Sequence, residues 1–279
     1  MKTNDKSIHL KKGVVVFLDA LGTKTAWTRK NPIEFINSWE KVVDDFKKSA
    51  SNHNEFAEKM EKNLHHTFLH PKLDVLAFSD TIIISYCNSA DKEKYNPLTS
   101  IMEVGYFLLQ PFFKSIINHN IFLRGVISYV EFYLSESQYS IIGPAVEEVG
   151  EWYEQPEWFG VSTTPSATYA LELALELSQV KLQDAFKLCF MPCETPLKDN
   201  TKLKSYAVLW PLEYSKYIFS LIDNKKFYYK RKLKRTRKML LESFISNNVI
   251  NKNVSLKYKN TLQFYDEIER YFNEYYKIK

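Results

Sequence analysis

The chain has 279 residues, 45% of them hydrophobic and 15% aromatic, with only seven glycines. That is enough for one substantial core, and it excludes a disordered, collagen-like or low-complexity protein. The formal charge is +5, but Lys225 to Lys238 holds nine Lys or Arg and no acid, so the remainder sums to −4 and the basic character is local.

Val14 to Leu18 is a short apolar, mostly β-branched run that predicts a buried strand ending at Asp19. Pro32, with Asn31 as cap, starts a helix carrying Ile33, Ile36, Val43 and Phe46. The polar stretch 52–70 is either the end of that helix or an inserted loop. Leu73 to Ser85 is long for one strand, and Ser79-Asp80 near its middle predicts a tight hairpin. Ile101 to Ile117 predicts a helix that Pro111 kinks or divides. Phe122 to Tyr133 and Tyr139 to Ile142 form the next hairpin, stopped by Gly143-Pro144. A helix over Val146 to Tyr153 follows, then a short strand at Gly160 to Ser162. Thr164-Pro165 opens a helix with Ala167, Ala170, Leu171, Leu173, Ala174 and Leu177 as its apolar positions. Leu203 to Trp210 is the last strand, ended by Pro211. The order β-α-ββ-α-ββ-α-β-α-β predicts an α/β fold, a mixed sheet with helices packed over it, in a domain spanning 10–211. From 212 to 279 the text changes to Lys, Asn, Tyr and Phe at helical spacing, which predicts a helical extension.

The three cysteines, Cys87, Cys189 and Cys193, have no framework spacing, which fits a reducing compartment, and Cys189 and Cys193 lack the partners of a zinc site. The polar stretch 1–12 is no signal peptide, and no apolar run reaches roughly 18 residues. These features predict a cytoplasmic protein with no membrane partner.

Asp19 and Asp80 share a setting: each lies beside a strongly apolar strand. A carboxylate buried there is costly unless it is paired or binds a cation. Two such groups at strand edges form a candidate site for hard divalent metal ions. The simpler alternatives are a helix cap at Asp19 and an ordinary turn residue at Asp80.

Phe17-Leu18-Asp19-Ala20-Leu21-Gly22 resembles the first metal-binding strand of class III nucleotide cyclases, and Phe78-Ser79-Asp80 resembles the hairpin carrying their second metal aspartate. Leu123-Arg124-Gly125-Val126-Ile127 and Ile142-Gly143-Pro144-Ala145-Val146 resemble the later hairpin and the start of the next helix. The likeness spans about Val14 to Trp210. It is strongest to the divergent bacterial cyclases of antiphage (Pycsar) signalling, which make cyclic CMP or cyclic UMP. It implies a ferredoxin-like catalytic domain acting as a homodimer on a nucleoside triphosphate, with UTP or CTP as substrate. Asp19 and Asp80 would hold two ions, Mg2+ or Mn2+, and Ala20, Leu21, Gly22 and Thr23 would lie at the phosphates. The 3′-hydroxyl would attack the α-phosphate and pyrophosphate would leave. Arg124 would contact a phosphate or else pair with a carboxylate such as Glu131 or Glu147. Replacing either aspartate by Asn is expected to lower turnover by at least roughly 100-fold while leaving metal-free stability level or higher.

The sequence departs from purine cyclases where Glu147 and Glu151 stand in place of an asparagine and an arginine. Val130 stands where many relatives place glycine. Glu147 and Glu148 otherwise suit a solvated helix face, and Trp152, Tyr153 and Trp158 suit a core or a dimer interface. His65 and His66 lie in polar text without a metal-pair spacing. Ser79 lacks the glycines of a nucleophile elbow. The Lys225–Lys238 segment suits a solvated helix face, a nucleic-acid surface beside Phe227, Tyr228 and Tyr229, or a steering patch for an anionic substrate.

Overall fold

The computed structural model describes residues 9–21, 32–64, 72–87, 96–135, 140–212, 226–246 and 252–277. The apolar run in the first strand, β1 (His9–Ala20), is buried on both faces: Val14, Val15, Val16 and Leu18 are all fully enclosed. Such a strand must lie inside a sheet covered on both sides. After α1 (Pro32–Leu64), the hairpin of β2 (Lys72–Phe78) and β3 (Thr81–Cys87) returns to pair with it. Then come α2 (Pro97–Ile117) and β4 (Leu123–Ser135), which flanks β1 on its other edge.

These first six elements form a β2-β3-β1-β4 sheet in which every neighbour is antiparallel. Each helix joins two strands that are parallel but separated by one strand, which is the ferredoxin-like arrangement. β5 (Ser140–Ile142) folds back on β4 and leads into α3 (Pro144–Trp152). β6 (Val161–Thr163) adds in parallel to β4, and β8 (Lys202–Val208) and β7 (Phe190–Pro196) complete the order β2-β3-β1-β4-β6-β8-β7. Helices α4 (Pro165–Glu176) and α5 (Val180–Phe186) precede β7, and a 3-10 turn follows β8 at Trp210–Leu212. The chain is thus α/β, with a mixed sheet and seven helices among the described residues.

Alternation along β1 sorts its side chains between two cores. Val14, Val16 and Leu18 enter the large core with α1, α2 and α4, whereas Val15 and the half-buried Phe17 face Ala145 and Val149 of α3. The large core continues through Trp158, Phe159 and Trp210 into α6 (Lys226–Ser246) and α7 (Lys252–Lys277). Phe264 meets Trp158 at 4.6 Å, and Tyr258 meets Phe159 at 4.7 Å. A buried Lys257–Glu157 ion pair at 2.6 Å and a bond from the Phe159 amide to Thr261 Oγ1 at 2.8 Å fasten α7 to the chain between α3 and β6. In the basic segment, Lys234, Arg235 and Lys238 are exposed, and Arg237 reaches Asp266 of α7 at 3.4 Å.

Several expectations change. Residues 52–64 continue α1, while His65 and His66 lie outside the described residues. Pro111 does not divide α2, which runs unbroken through it because Leu108, Leu109, Phe112 and Phe113 are buried around it. Packing on that scale outweighs the roughly 3 kcal/mol that an interior proline costs. Two elements are added to the expected order, α5 and β7. Pro192 and Pro196 obscure β7 in the sequence, yet it is an edge strand paired only with β8, where a missing amide is tolerated.

Candidate active site

The end of β1 is where the sheet brings the singled-out residues together. Asp19 is opposite Thr81 on β3 and opposite Arg124 on β4. The β2–β3 turn, with Ser79 at φ 55°, is tied to the same point by a bond from the Ala20 amide to the Asp80 carbonyl at 2.9 Å. The Leu21 amide donates to the Phe122 carbonyl at 2.8 Å. Neither of these amides is therefore available as a phosphate donor in this state. Gly22 and Thr23 lie outside the described residues.

Arg124 pairs with Asp19, not with Glu131 or Glu147. Its Nε and Nη2 both donate to Asp19 Oδ2, at 3.1 and 3.0 Å, and its Nη1 donates to the Glu154 carbonyl at 2.7 Å. The side chains are only 7% and 14% exposed. Register explains the choice: on antiparallel strands, directly opposed residues share a face and lie about 5 Å apart at Cβ. The strands also approach closely here, since a Cβ on Gly125 would stand 2.2 Å from the Phe17 carbonyl oxygen.

Burial pushes the Asp19 carboxyl above the ordinary aspartate value, and the Arg124 guanidinium only partly offsets this. The charges of Asp80 and Glu154 push it further up. Asp80 is therefore near enough for its charge to be felt at Asp19. Glu154 is held below the usual glutamate range, chiefly by its bond with Lys198 at 3.2 Å, and Tyr153 Oη also donates to it. The Tyr153 ring stands edge-on to Phe17 at 5.9 Å. Burial and the nearby Glu154 and Asp19 raise its phenol pKa.

Glu154 and Lys198 had no signal in the sequence. Lys198 reaches the site because its amide bonds to the Gln155 carbonyl at 3.0 Å and Pro156 bridges Leu197, pairings between segments far apart in the chain. Glu147 and Glu151 are exposed on α3. Glu148 is not a solvated face residue: it accepts from Ser128 Oγ, from Ser166 Oγ at 2.5 Å and from the Ser166 amide at 3.1 Å, so it caps the first turn of α4. Trp158 is core, while Trp152 and Tyr153 pack at the edge of the smaller core.

Among the described residues no group of three or more His, Cys, Asp or Glu could enclose a metal. The residues present still fit a magnesium-type ion, which is commonly bound through one or two carboxylates plus substrate phosphates. Asp19 Oδ1 takes no part in the Arg124 pair, and the repulsion that Asp80 exerts on the Asp19 carboxylate is what a cation relieves.

No family model matches the sequence, and no curated protein is similar to it. Solved structures similar to the chain include the monomeric guanylyl cyclase domain of the RhoGC fusion protein from the aquatic fungus Blastocladiella emersonii. Its identity is 10% and its TM-score 0.46, over 72% of this chain and 97% of that domain. Another is the catalytic core of a rhodopsin-guanylyl cyclase with converted specificity in complex with ATPalphaS, at 12% identity and TM-score 0.45, over 72% and 97%. A bacterial light-regulated adenylyl cyclase matches at 11% identity and TM-score 0.44, over 77% of this chain and 58% of that one. No described helix is long and apolar enough to cross a membrane.

Proposed function

We propose that the chain is a class III-like nucleotide cyclase. It converts a pyrimidine nucleoside triphosphate, UTP or CTP, to the 3′,5′-cyclic monophosphate and pyrophosphate, as a homodimer making a second messenger in antiviral defence. The observation that carries the reading is the backbone bond from the Ala20 amide to the Asp80 carbonyl, which ties the Asp80 turn to the residue next to Asp19 at one end of a ferredoxin-like sheet. The pyrimidine and defence assignments rest on the sequence resemblance and on Glu147 and Glu151 standing where purine cyclases carry asparagine and arginine.

Asp19 and Asp80 would hold the Mg2+ or Mn2+ ions. Such ions supply positive charge to the triphosphate and lower the pKa of the attacking hydroxyl. Arg124 orients Asp19 and partly offsets its buried charge through two bonds to one carboxylate oxygen. A guanidinium in this position can shift its donors to a phosphate oxygen once the carboxylate is otherwise engaged.

The test is to incubate purified protein with each of the four ribonucleoside triphosphates and Mn2+, and to identify products by mass. Cyclic UMP or cyclic CMP with equimolar pyrophosphate is expected. No cyclic product from any nucleotide, with the protein shown folded, overturns the reading. A second reading, a nucleotide-binding protein without turnover, is favoured by one feature: Arg124 already occupies one oxygen of Asp19. Nucleotide binding without product would establish it.

A further inference from the structure

A cavity of about 630 Å³ opens at the opposite end of β1 and β4, between those strands and α4. Asp19 lies seven positions along β1 from Lys12 in the cavity's rim, about 23 Å on an extended strand. The cavity is therefore distinct from the carboxylate site, and its chemistry is independent of the cyclase reading. The volume is in the range of small-molecule pockets, which are mostly apolar with a few convergent polar groups.

Lys12 and Glu131 are directly opposed on β1 and β4, and Tyr129, two residues before Glu131, shares their face. Among the described residues Lys12 has no carboxylate partner and Glu131 no cationic one. The Lys12 ammonium instead lies 5.8 Å above the Tyr129 ring. The Tyr129 side chain is buried with its hydroxyl unpaired. The facing wall is apolar: Leu173 is 62% exposed and Leu177 81% exposed, with Ala174 between them.

The geometry points to a binding site for a small zwitterion with an apolar body, of the kind of an aromatic or branched-chain α-amino acid. A net anion would meet Glu131 and a net cation would meet Lys12. A molecule whose ammonium and carboxylate share one carbon satisfies the opposed pair at once. Its carboxylate accepts from Lys12, its ammonium donates to Glu131, and its side chain covers Leu173 and Leu177.

The test is titration of the full chain by isothermal calorimetry with three probes of one body: L-phenylalanine, phenylacetate and phenethylamine. L-Phenylalanine is expected to bind, and each singly charged probe at least about tenfold more weakly. Lys12→Met and Glu131→Gln should each weaken L-phenylalanine by about tenfold or more. Leu177→Asp should abolish binding, and at so exposed a position it should not disturb folding. Asp80→Asn should bind like the wild type, which separates this site from the carboxylate site. The proposal is overturned if L-phenylalanine fails to bind at millimolar concentration, if phenylacetate or phenethylamine binds equally well, or if Leu177→Asp leaves binding intact.

Discussion

Removing Arg124 should harm the protein far more than neutralising Asp19. In Arg124→Met the Asp19 carboxylate stays largely buried, beside Asp80 and Glu154, without the group that offsets its burial. Breaking a buried pair from one side costs about 3–5 kcal/mol. At about 2 °C per kcal/mol for a chain of this size, the metal-free melting midpoint at pH 8 should fall by about 6–10 °C. Asp19→Asn strands the buried Arg124 guanidinium in turn, but the amide oxygen can still accept from it, its Nη1 keeps the Glu154 carbonyl and the repulsion from Asp80 is gone, so the loss should be smaller. The double variant should recover most of the loss, since an ion pair replaced as a whole is often neutral. The pH dependence has a definite sign. A carboxyl raised in the folded state favours folding while protonated and loses that contribution as pH rises through its folded value. The Arg124→Met deficit should therefore be large at pH 8 and shrink toward pH 4. Thermal melts of the four proteins in EDTA across this range are the assay. A single Arg124→Met variant as stable as wild type at pH 8, or a double variant no better than the single, would refute the reasoning.

Asp80→Asn should reduce cyclic-nucleotide formation by at least roughly 100-fold with metal-free stability level or raised, because a like charge near Asp19 is removed. Near-normal turnover by the folded variant would return Asp80 to the role of a turn residue. Mn2+ should raise the melting midpoint of the wild type, more at pH 8 than at pH 5, and should have little effect on Asp19→Asn; equal shifts in both would place the ion elsewhere. Lys257→Met should cost about 3 kcal/mol by urea denaturation by stranding Glu157, whose pair is only 10–11% exposed, whereas Lys202→Met, which breaks an exposed pair with Glu194, should leave the urea midpoint nearly unchanged. Equal costs would mean that α7 is not fastened through that pair.

The local text of the chain determined its strands and turns where a single pattern dominates. Val14 to Leu18 has one stable environment, a strand covered on both faces, and Ser79-Asp80 between two strand-forming runs, the second of them β-branched, has little alternative to a hairpin. Asp19 and Asp80 stand out for the same reason: a carboxylate against an apolar strand is a local contradiction visible in the letters. Tertiary structure decided the rest. The partner of Arg124 depends on register, because shifting β4 by one residue against β1 would turn its side chain to the other face. Glu148 reads as solvated until β4 and α4 bring Ser128 and Ser166 to it. β7 could not be read past Pro192 and Pro196, since only its place at the sheet edge makes those prolines harmless. Lys198 and Glu154 are 44 residues apart and carry no spacing signal. They meet because β-bridging joins two distant segments, a long-range pairing that short-range periodicity does not encode.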